Sequence, residues 1–514
     1  MRVLLMFRDR DFDPDQSLRE LMNPYRRDEG RQPRLHAHEQ ALSQDLELDT
    51  LLGAMANKDQ FLLEVARKAL LDGLRNDVDT ILYRQAIMKD CLKNEPIVRE
   101  LHDLTVETID GTRKHGWGLS SHYASSLLYG ALDLMEALLG TLRRIRSIAE
   151  HQASRFDSEA FTTLFAMLRK ELAEDYLAGI QNFLVELKFR KGVLLSAKLG
   201  ELNESINYVL RRSHDKDPTW IQRIFGKRSP GYTFYLAERD QAGGQILTHI
   251  RYRAISRVAV ALAQSADHVV SFFRTLRTEL AFYIGCLNLH GRLTVKGEPV
   301  CFPVPIRAGE RRQRASGLYD VCLSLHLKER VVGNATDTDG KSLVIITGAN
   351  QGGKSSFLRS VGLAQIMMQC GMFVGAEAYE GEICPAMFTH FKREEDATMR
   401  SGKFDEELAR MSGIVDHVVP DAMVLFNESF AATNEREGSE IARQIVSALL
   451  EKRIKVYFVT HLYEFAWGFF GRNLPDAIFL RAERMADGTR TFKLLEGAPL
   501  ETSYGEDLYR EVFP

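Results

Sequence analysis

The sequence predicts a C-terminal α/β domain on a largely parallel sheet, preceded by an extended all-α region that a small β-containing insert interrupts. Three observations predict it. Leu343–Phe357, LVIITGANQGGKSSF, passes from an apolar, β-branched run through a glycine-rich turn into a helical pattern. Apolar strands and helices alternate after it, as in a parallel sheet covered by helices. Before it, from Asp45 to about residue 290, apolar residues recur at helical spacing, and the texture changes only around residues 186–240.

The whole chain sets the bounds. Its 514 residues are enough for two to four domains with ample core. A composition of 45% hydrophobic and 27% charged residues is that of a soluble globular protein. The net charge of −3 gives no global basic signal, so any nucleic-acid surface must be local. Met1–Phe7 is a short apolar run followed at once by Arg8-Asp9-Arg10-Asp11, which is neither a signal peptide nor a membrane span. Cys91, Cys286, Cys301, Cys322, Cys370 and Cys384 show no C-x-x-C or paired spacing and read as reduced thiols of a cytoplasmic protein.

Taken in order, Val3–Phe7 reads as a strand, and Asn23–Arg34, with Pro24, Gly30 and Pro33, as a linker or exposed loop. His36, His38 and Glu39 lie close together; exposed loop histidines are a commoner explanation than a metal site. Helices follow through Leu51–Leu70, Thr80–Leu92, Ile97–Ile109 and Ser120–His151, the last with Arg143, Arg144 and Arg146 on a solvated face. Residues 155–185 continue helical. Gly192–Leu195 and Gly231–Leu236 then read as strands. Glu186–Arg228 carries ten basic and five acidic residues, with Tyr208, Trp220 and Phe225 interleaved. Basic residues among aromatics suit contact with a phosphate backbone; an ordinary solvated insertion is the alternative. Helical spacing returns over residues 247–290, so one helical arm goes out and comes back.

The turn after Leu343–Thr347 fits G-x-x-x-x-G-K-[ST] with Gly348, Gly353, Lys354 and Ser355. Glycines let backbone N–H groups approach phosphate oxygens, and the helix N-terminus adds partial positive charge. Lys354 is placed to reach the β- and γ-phosphates of a nucleotide, and Ser355 to ligate Mg²⁺. Met423–Phe426 reads as a buried strand ending in Asn427-Glu428, where phosphate-loop proteins usually carry an Asp near Mg²⁺. Glu428 can polarise an attacking water; Asn427 lacks the charge, which should weaken Mg²⁺ binding and slow turnover. Lys455–Thr460 is a second strand, ending at His461, which suits sensing or stabilising a γ-phosphate; a satisfied core histidine is the alternative.

From about Lys341 to Tyr509 the chain resembles the ATPase domain of the MutS mismatch-repair family. TGANQGGKSSF and the following FVGAEA are similar to that family's TGPNMGGKST loop and FVPA turn. NESFAATNEREG is similar to DEIGRGTSTYDG, VTHLYEF to ATHYFEL, and Ser503-Tyr504-Gly505 to the closing S-Y-G. Asp45–Arg311 resembles the family's core, lever and clamp more loosely. The resemblance implies a phosphate-loop (ABC-type) ATPase domain over residues 311–514, with ATP and Mg²⁺ as cofactors. It also implies an N-terminal segment at 1–40, outgoing core and lever helices at 41–185, a basic clamp-like insert at 186–240 and returning helices at 241–310. Nucleotide contacts carry over to Gly348, Asn350, Gly352, Gly353, Lys354, Ser355 and Ser356. Metal contacts carry over to Ser355, Asn427 and Glu428, and catalytic roles to Lys354, Glu428 and His461.

The resemblance further implies a homodimer in which a segment S-T-F-x-x-E reaches the partner's nucleotide. Ser401-Gly402-Lys403-Phe404-Asp405-Glu406-Glu407 stands there; Phe404 and Glu407 match, and Ser401 or Lys403 must replace the family's Ser-Thr. With Asn427 this is a second departure, and both point to slow hydrolysis. About 40 residues precede the helical core, so the mismatch-reading and connector domains are expected to be missing, as is a small nuclease domain after Pro514. The expected function is an ATP-dependent clamp on double-stranded or branched DNA, held by Lys188, Arg190, Lys191, Arg211 and Arg212, with no membrane partner. The alternative is a nucleotide-switched clamp on a protein partner that makes no DNA contact.

Overall fold

The structure, a computed structural model, describes residues 1–12, 32–114, 124–190, 192–201, 205–211, 234–237, 239–393, 402–485 and 488–500. The helices are α1 Gln32–Asp45, α2 Leu48–Ala56, α3 Gln60–Gly73, α4 Val78–Lys93, α5 Glu95–Lys114, α6 Ala124–Gln152, α7 Glu159–Glu171, α8 Glu174–Leu187, α9 Gln241–Val295, α10 Val321–His326, α11 Lys354–Gln369, α12 Lys403–Val415, α13 Glu435–Glu451 and α14 Tyr463–Phe470. The strands are β1 Leu194–Leu199, β2 Ser205–Arg211, β3 Val304–Ile306, β4 Gln313–Leu318, β5 Asn334–Asp337, β6 Leu343–Thr347, β7 Ala378–Glu382, β8 Met387–Phe391, β9 Met423–Asn427, β10 Lys455–Val459, β11 Ala477–Arg484 and β12 Arg490–Glu496. They form two compact units. One comprises Met1–Val3, Glu100–Ser154 and Thr163–Arg277; the other Leu4–Arg99, Arg155–Thr162 and Thr278–Pro514.

Among the described residues, the first unit is helical apart from the β1–β2 hairpin. Leu128, Leu132, Leu138 and Leu142 of α6 and Leu177 and Leu184 of α8 are buried, and these two helices pack together. Arg144 donates to Glu107 at 2.8 Å and Arg146 to Glu174 at 2.8 Å, so this basic run is an ion-paired surface. The hairpin is antiparallel, with Leu194 opposite Arg211 and Leu199 opposite Ser205. Two strand expectations need correction here. β1 starts two residues after Gly192 and runs on to Leu199, and its partner is Ser205–Arg211, whose polar Asn207 disguised the alternation. Phe234–Leu236 lies in no strand. Aromatic and β-branched residues make a strand only when another strand supplies a ladder.

The second unit is built on a six-stranded sheet of order β12-β11-β6-β10-β9-β8. β11, β6, β10, β9 and β8 are mutually parallel, and β12 closes one edge antiparallel. All five residues of β6 are buried, as expected of a central strand covered on both faces. In register, Val344 lies opposite Tyr457 and Ile478, and Ile345 opposite Phe458 and Phe479. Ile345, Val424, Phe426, Phe458, Phe465 and Val446 share one core cluster with α13 and α14. α11 is buried almost all round, not on the single face its periodicity displays, because α3, α4, β9 and β10 all pack against it. A smaller sheet, β3-β7-β4-β5, lies in the same unit.

Two N-terminal expectations also fail. Val3–Phe7 is not a strand. Its polar backbone is taken up by side chains: Glu279 accepts from Leu5 N (2.5 Å) and Met6 N (3.2 Å), Tyr83 donates to Leu4 O (2.7 Å), and Arg84 to Met6 O (2.9 Å). With its bonds met this way, no ladder partner is required. Of the loop expected over Asn23–Arg34, residues 23–31 lie outside the described residues, and Gln32–Arg34 belongs to α1, Pro33 falling in the first turn where a missing N–H costs nothing. His38 is therefore helical; its Nε2 donates to Gly413 O at 3.1 Å and its ring meets Phe388 edge-on.

Candidate nucleotide site at the C-terminal edge of the sheet

β6, β10 and β9 are neighbours and run parallel, so their C-terminal ends deliver three chain segments to one place. Ligands of open parallel sheets bind at such an edge, where strand order reverses. Here the reversal falls at β6, with β11 on one side and β10 on the other.

The turn from β6 to α11 is shaped by its glycines. Gly348 has φ 113°, and a Cβ there would lie 2.9 Å from the Ala482 backbone nitrogen. A Cβ on Gly352 would lie 2.7 Å from the Ala482 Cβ. Gly353, at φ 85°, is the N-cap of the 16-residue α11, whose free N–H groups and dipole face the turn. Asn350 is half-buried in the turn. Lys354 is buried and donates from Nζ to Gly348 O at 3.0 Å and Ala349 O at 2.8 Å. Burial pushes its ammonium down to about 8, with Glu428 opposing the shift.

Ser355 Oγ donates to Asn427 Oδ1 at 2.9 Å, joining α11 to the end of β9. Glu428 follows in the left-handed region, at φ 54°, with its N–H on Val459 O at 2.9 Å. Its Oε1 lies 3.2 Å from Nε2 of His461, which follows β10. That hydrogen bond is the main reason its carboxyl stays below the usual carboxylate range, with Lys392 and Lys354 adding to it. Hard oxygen donors at 2.9 Å, Ser355 Oγ and Asn427 Oδ1, beside the ionised Glu428, fit Mg²⁺ held largely by phosphate and water. Among the described residues, no group of three or more His, Cys, Asp or Glu side chains could hold a metal ion by itself.

Two features beside the turn escaped the sequence reading. Arg490 of β12 donates to Gln351 Oε1 at 2.9 Å, adding a cation to the loop. A cavity of about 540 Å³ opens against Gly353 and Ser356, walled by Val331, Val332, Phe357 and Phe492. Its size and apolar walls suit a planar base. Asn334 fixes this wall, donating to Phe492 O (3.2 Å) and accepting from Leu494 N (2.8 Å). No spacing rule links residues 331, 357 and 492; β5 lying beside β12 brings Phe492 to the chain around Asn334.

The remaining expected residues lie elsewhere. Lys403 opens α12 and is exposed, and Glu407 is buried, its Oε2 accepting from Phe430 N at 3.0 Å. In the other unit, Lys188 is paired with Glu136 at 2.6 Å, Arg190 is exposed, and Arg211 donates across the hairpin to Ser196 Oγ at 2.8 Å. Ser401, Lys191, Arg212, Trp220, Phe225 and Ser503–Gly505 lie outside the described residues.

A parallel sheet, a glycine loop capping a buried helix and polar groups on two adjoining strand ends define the phosphate-loop class of α/β nucleotide-binding domains. Residues 344–506 match the family model described as MutS domain V, and residues 76–296 the one described as MutS2 N-terminal domain. The chain belongs to the MutS-related family. It is 28% identical over 203 residues to mouse "MutS protein homolog 4", covering 37% of this chain and 20% of that one. It is 34% identical over 130 residues to "DNA mismatch repair protein MutS" of Leptospira interrogans, covering 25% of this chain and 15% of that one. It is 29% identical over 175 residues to "Endonuclease MutS2" of Geobacillus kaustophilus, covering 34% and 22% respectively. The matched stretches thus span between 15% and 22% of the length of these three relatives.

Proposed function

We propose that this chain is an ATP-dependent DNA-binding protein, a dimeric and Mg²⁺-dependent ATPase whose nucleotide state sets how its helical arms hold duplex or branched DNA. One observation carries the reading: Lys354, the Ser355–Asn427 pair and the Glu428–His461 pair converge on three neighbouring strand ends. In this reading the amides of Gly348–Ser356 take the phosphates, and Lys354 exchanges its loop carbonyls for phosphate oxygens. Mg²⁺, when bound, offsets phosphate charge. Ser355, Asn427 and Glu428 would be the protein groups that hold it. Glu428, ionised and oriented by His461, holds and deprotonates the attacking water. Asn427 contributes no charge, so turnover is slow. The base occupies the cavity between Val331, Val332 and Phe492.

The finer parts of the reading follow the family resemblance. Ser401 and Lys403 reach the nucleotide of a second copy. Residues 41–185 and 241–310 act as core and lever, and 186–240 as a clamp. Lys188, Arg190, Lys191, Arg211 and Arg212 contact DNA phosphates, in the cytoplasm. No described helix is long and apolar enough to cross a membrane. The test is binding to duplex, mismatched and four-way DNA over a salt series, with and without ATP. Contacts to phosphates make log affinity fall linearly with log salt. Reversing Arg190 and Arg211 to Glu should weaken binding and flatten that slope by about two contacts.

One observation favours a second reading, a nucleotide-switched clamp on a protein partner. Lys188 is already paired with Glu136, while Leu199 and Tyr235 are 74% and 93% exposed. Unchanged DNA affinity after the Arg190 and Arg211 reversals would favour it.

A further inference from the structure

The three residues after β9 hold an unusual backbone. Glu428 and Phe430 both lie in the left-handed region, at φ 54° and 62°. Non-glycine residues stay there only where their surroundings over-determine them. Glu428 is fixed by Val459 O, and Phe430 N–H donates to the Glu407 carboxylate at 3.0 Å. The Phe430 ring is fully buried and stacks on His390, with centroids 5.3 Å apart and planes 18° from parallel.

His390 closes this arrangement. It is buried on β8, with Nδ1 2.8 Å from Ser429 Oγ and Nε2 3.0 Å from Glu407 O. A carbonyl only accepts, so Nε2 carries the proton. Burial and the nearby Arg410 push the imidazole down to about 3, so the ring is neutral and Nδ1 is left as an acceptor facing the Ser429 hydroxyl, whose one proton is shared with the backbone carbonyl of His390. Ser429 follows the carboxylate of the proposed water-activating Glu428, and Glu407 lies one turn inside the helix that Lys403 opens. One ring therefore bonds both segments, and the Glu407–Phe430 bond ties them a second time.

We propose that His390 is a positioning residue that holds the Glu428–Phe430 turn and the start of α12 as one body, so that a change at the carboxylate is passed to the segment offered to a neighbouring subunit's nucleotide. This rests on the ATPase reading above. A histidine that only filled space could be replaced by an apolar residue of similar size, whereas a relay needs one donor and one acceptor at fixed positions.

The test uses the full chain and two substitutions. His390→Leu removes both bonds at similar volume, and His390→Gln keeps a donor and an acceptor. Amide hydrogen exchange is read without nucleotide and with a non-hydrolysable ATP analogue and Mg²⁺, alongside kcat and KM for ATP. His390→Leu should speed exchange at 403–409 and 428–430 together by about tenfold while β6 and β10 stay protected. It should also lower kcat by about tenfold, in the range found when groups supporting a site are removed, with KM changed by less than about twofold. His390→Gln should recover both. Unchanged exchange at 403–409 in His390→Leu, exchange rising equally through β6 and β10, or a Gln variant no better than Leu would overturn the proposal. If the unmodified chain hydrolyses no ATP, the ATPase reading fails, and the relay is judged on the nucleotide-free exchange alone.

Discussion

Ser355 and Asn427 are joined by a 2.9 Å hydrogen bond in which the serine hydroxyl donates to the amide oxygen. The bond holds the first turn of the loop helix against the end of β9 with two neutral groups. Asn427→Asp would replace the amide oxygen with a charged one at the same place. A unit charge at a few ångströms is worth on the order of 1–4 kcal/mol between water-like and surface dielectrics. A Mg²⁺ titration of ATPase activity should therefore show half-saturation at a concentration about tenfold lower. An unchanged titration would separate Asn427 from the metal.

In the proposed mechanism Glu428 and Lys354 serve different stages. Lys354→Ala should remove nucleotide binding, read with a fluorescent ATP analogue. Glu428→Gln should keep binding and reduce kcat by about 100-fold or more, general-base assistance being worth on that order. It should also trap ATP and favour the dimer in sedimentation with ATP and Mg²⁺. Normal turnover in Glu428→Gln would mean that another group activates the water.

The Glu428–His461 contact at 3.2 Å makes a pH prediction. His461 holds the Glu428 carboxyl below its ordinary range, so the base stays ionised into more acid solution. In His461→Ala that support is gone and the carboxyl titrates higher. The acid limb of kcat/KM should move to higher pH, while activity well above it changes less. An acid limb that stays in place would show that His461 does not tune Glu428.

Glu279 sets a stability prediction. It is buried under the N-terminal segment, accepting from Phe12 N at 2.6 Å as well as from Leu5 and Met6. Burial raises its carboxyl from 4.5 to about 8. Across that window the folded protein keeps a proton that the unfolded chain has released, so this group's contribution to stability falls as pH rises, by up to about 1.4 kcal/mol per pH unit. Urea unfolding from pH 5 to pH 8 should show that slope, and Glu279→Gln should flatten it. Identical slopes in both proteins would contradict the assignment.

Where local chemistry decided the structure, the sequence was readable. Leu343–Thr347, Met423–Asn427 and Lys455–Val459 are strands because continuous apolar runs need burial on both faces. The turn at Gly348–Ser355 follows from its glycines, Gly348 and Gly353 both lying at positive φ. Where a distant partner decided, the sequence misled. Val3–Phe7 has strand composition, but Glu279, Tyr83 and Arg84 satisfy its backbone. Arg490 and Phe492 reach the site only because β12 closes the sheet edge. His390 gives no sign in the sequence; the role proposed for it comes from β8 lying next to β9 and from its bond to Glu407 of α12.

The most direct test of an ATP-gated DNA clamp is an equilibrium titration of fluorescently labelled duplex and four-way DNA with the purified chain, at one fixed salt concentration, without nucleotide and with ATP and Mg²⁺. Coupling between two sites typically changes affinity by about 5-fold to 150-fold, and the account predicts a change in that range between the two conditions. Equal affinity in both, or no binding in either, would contradict it.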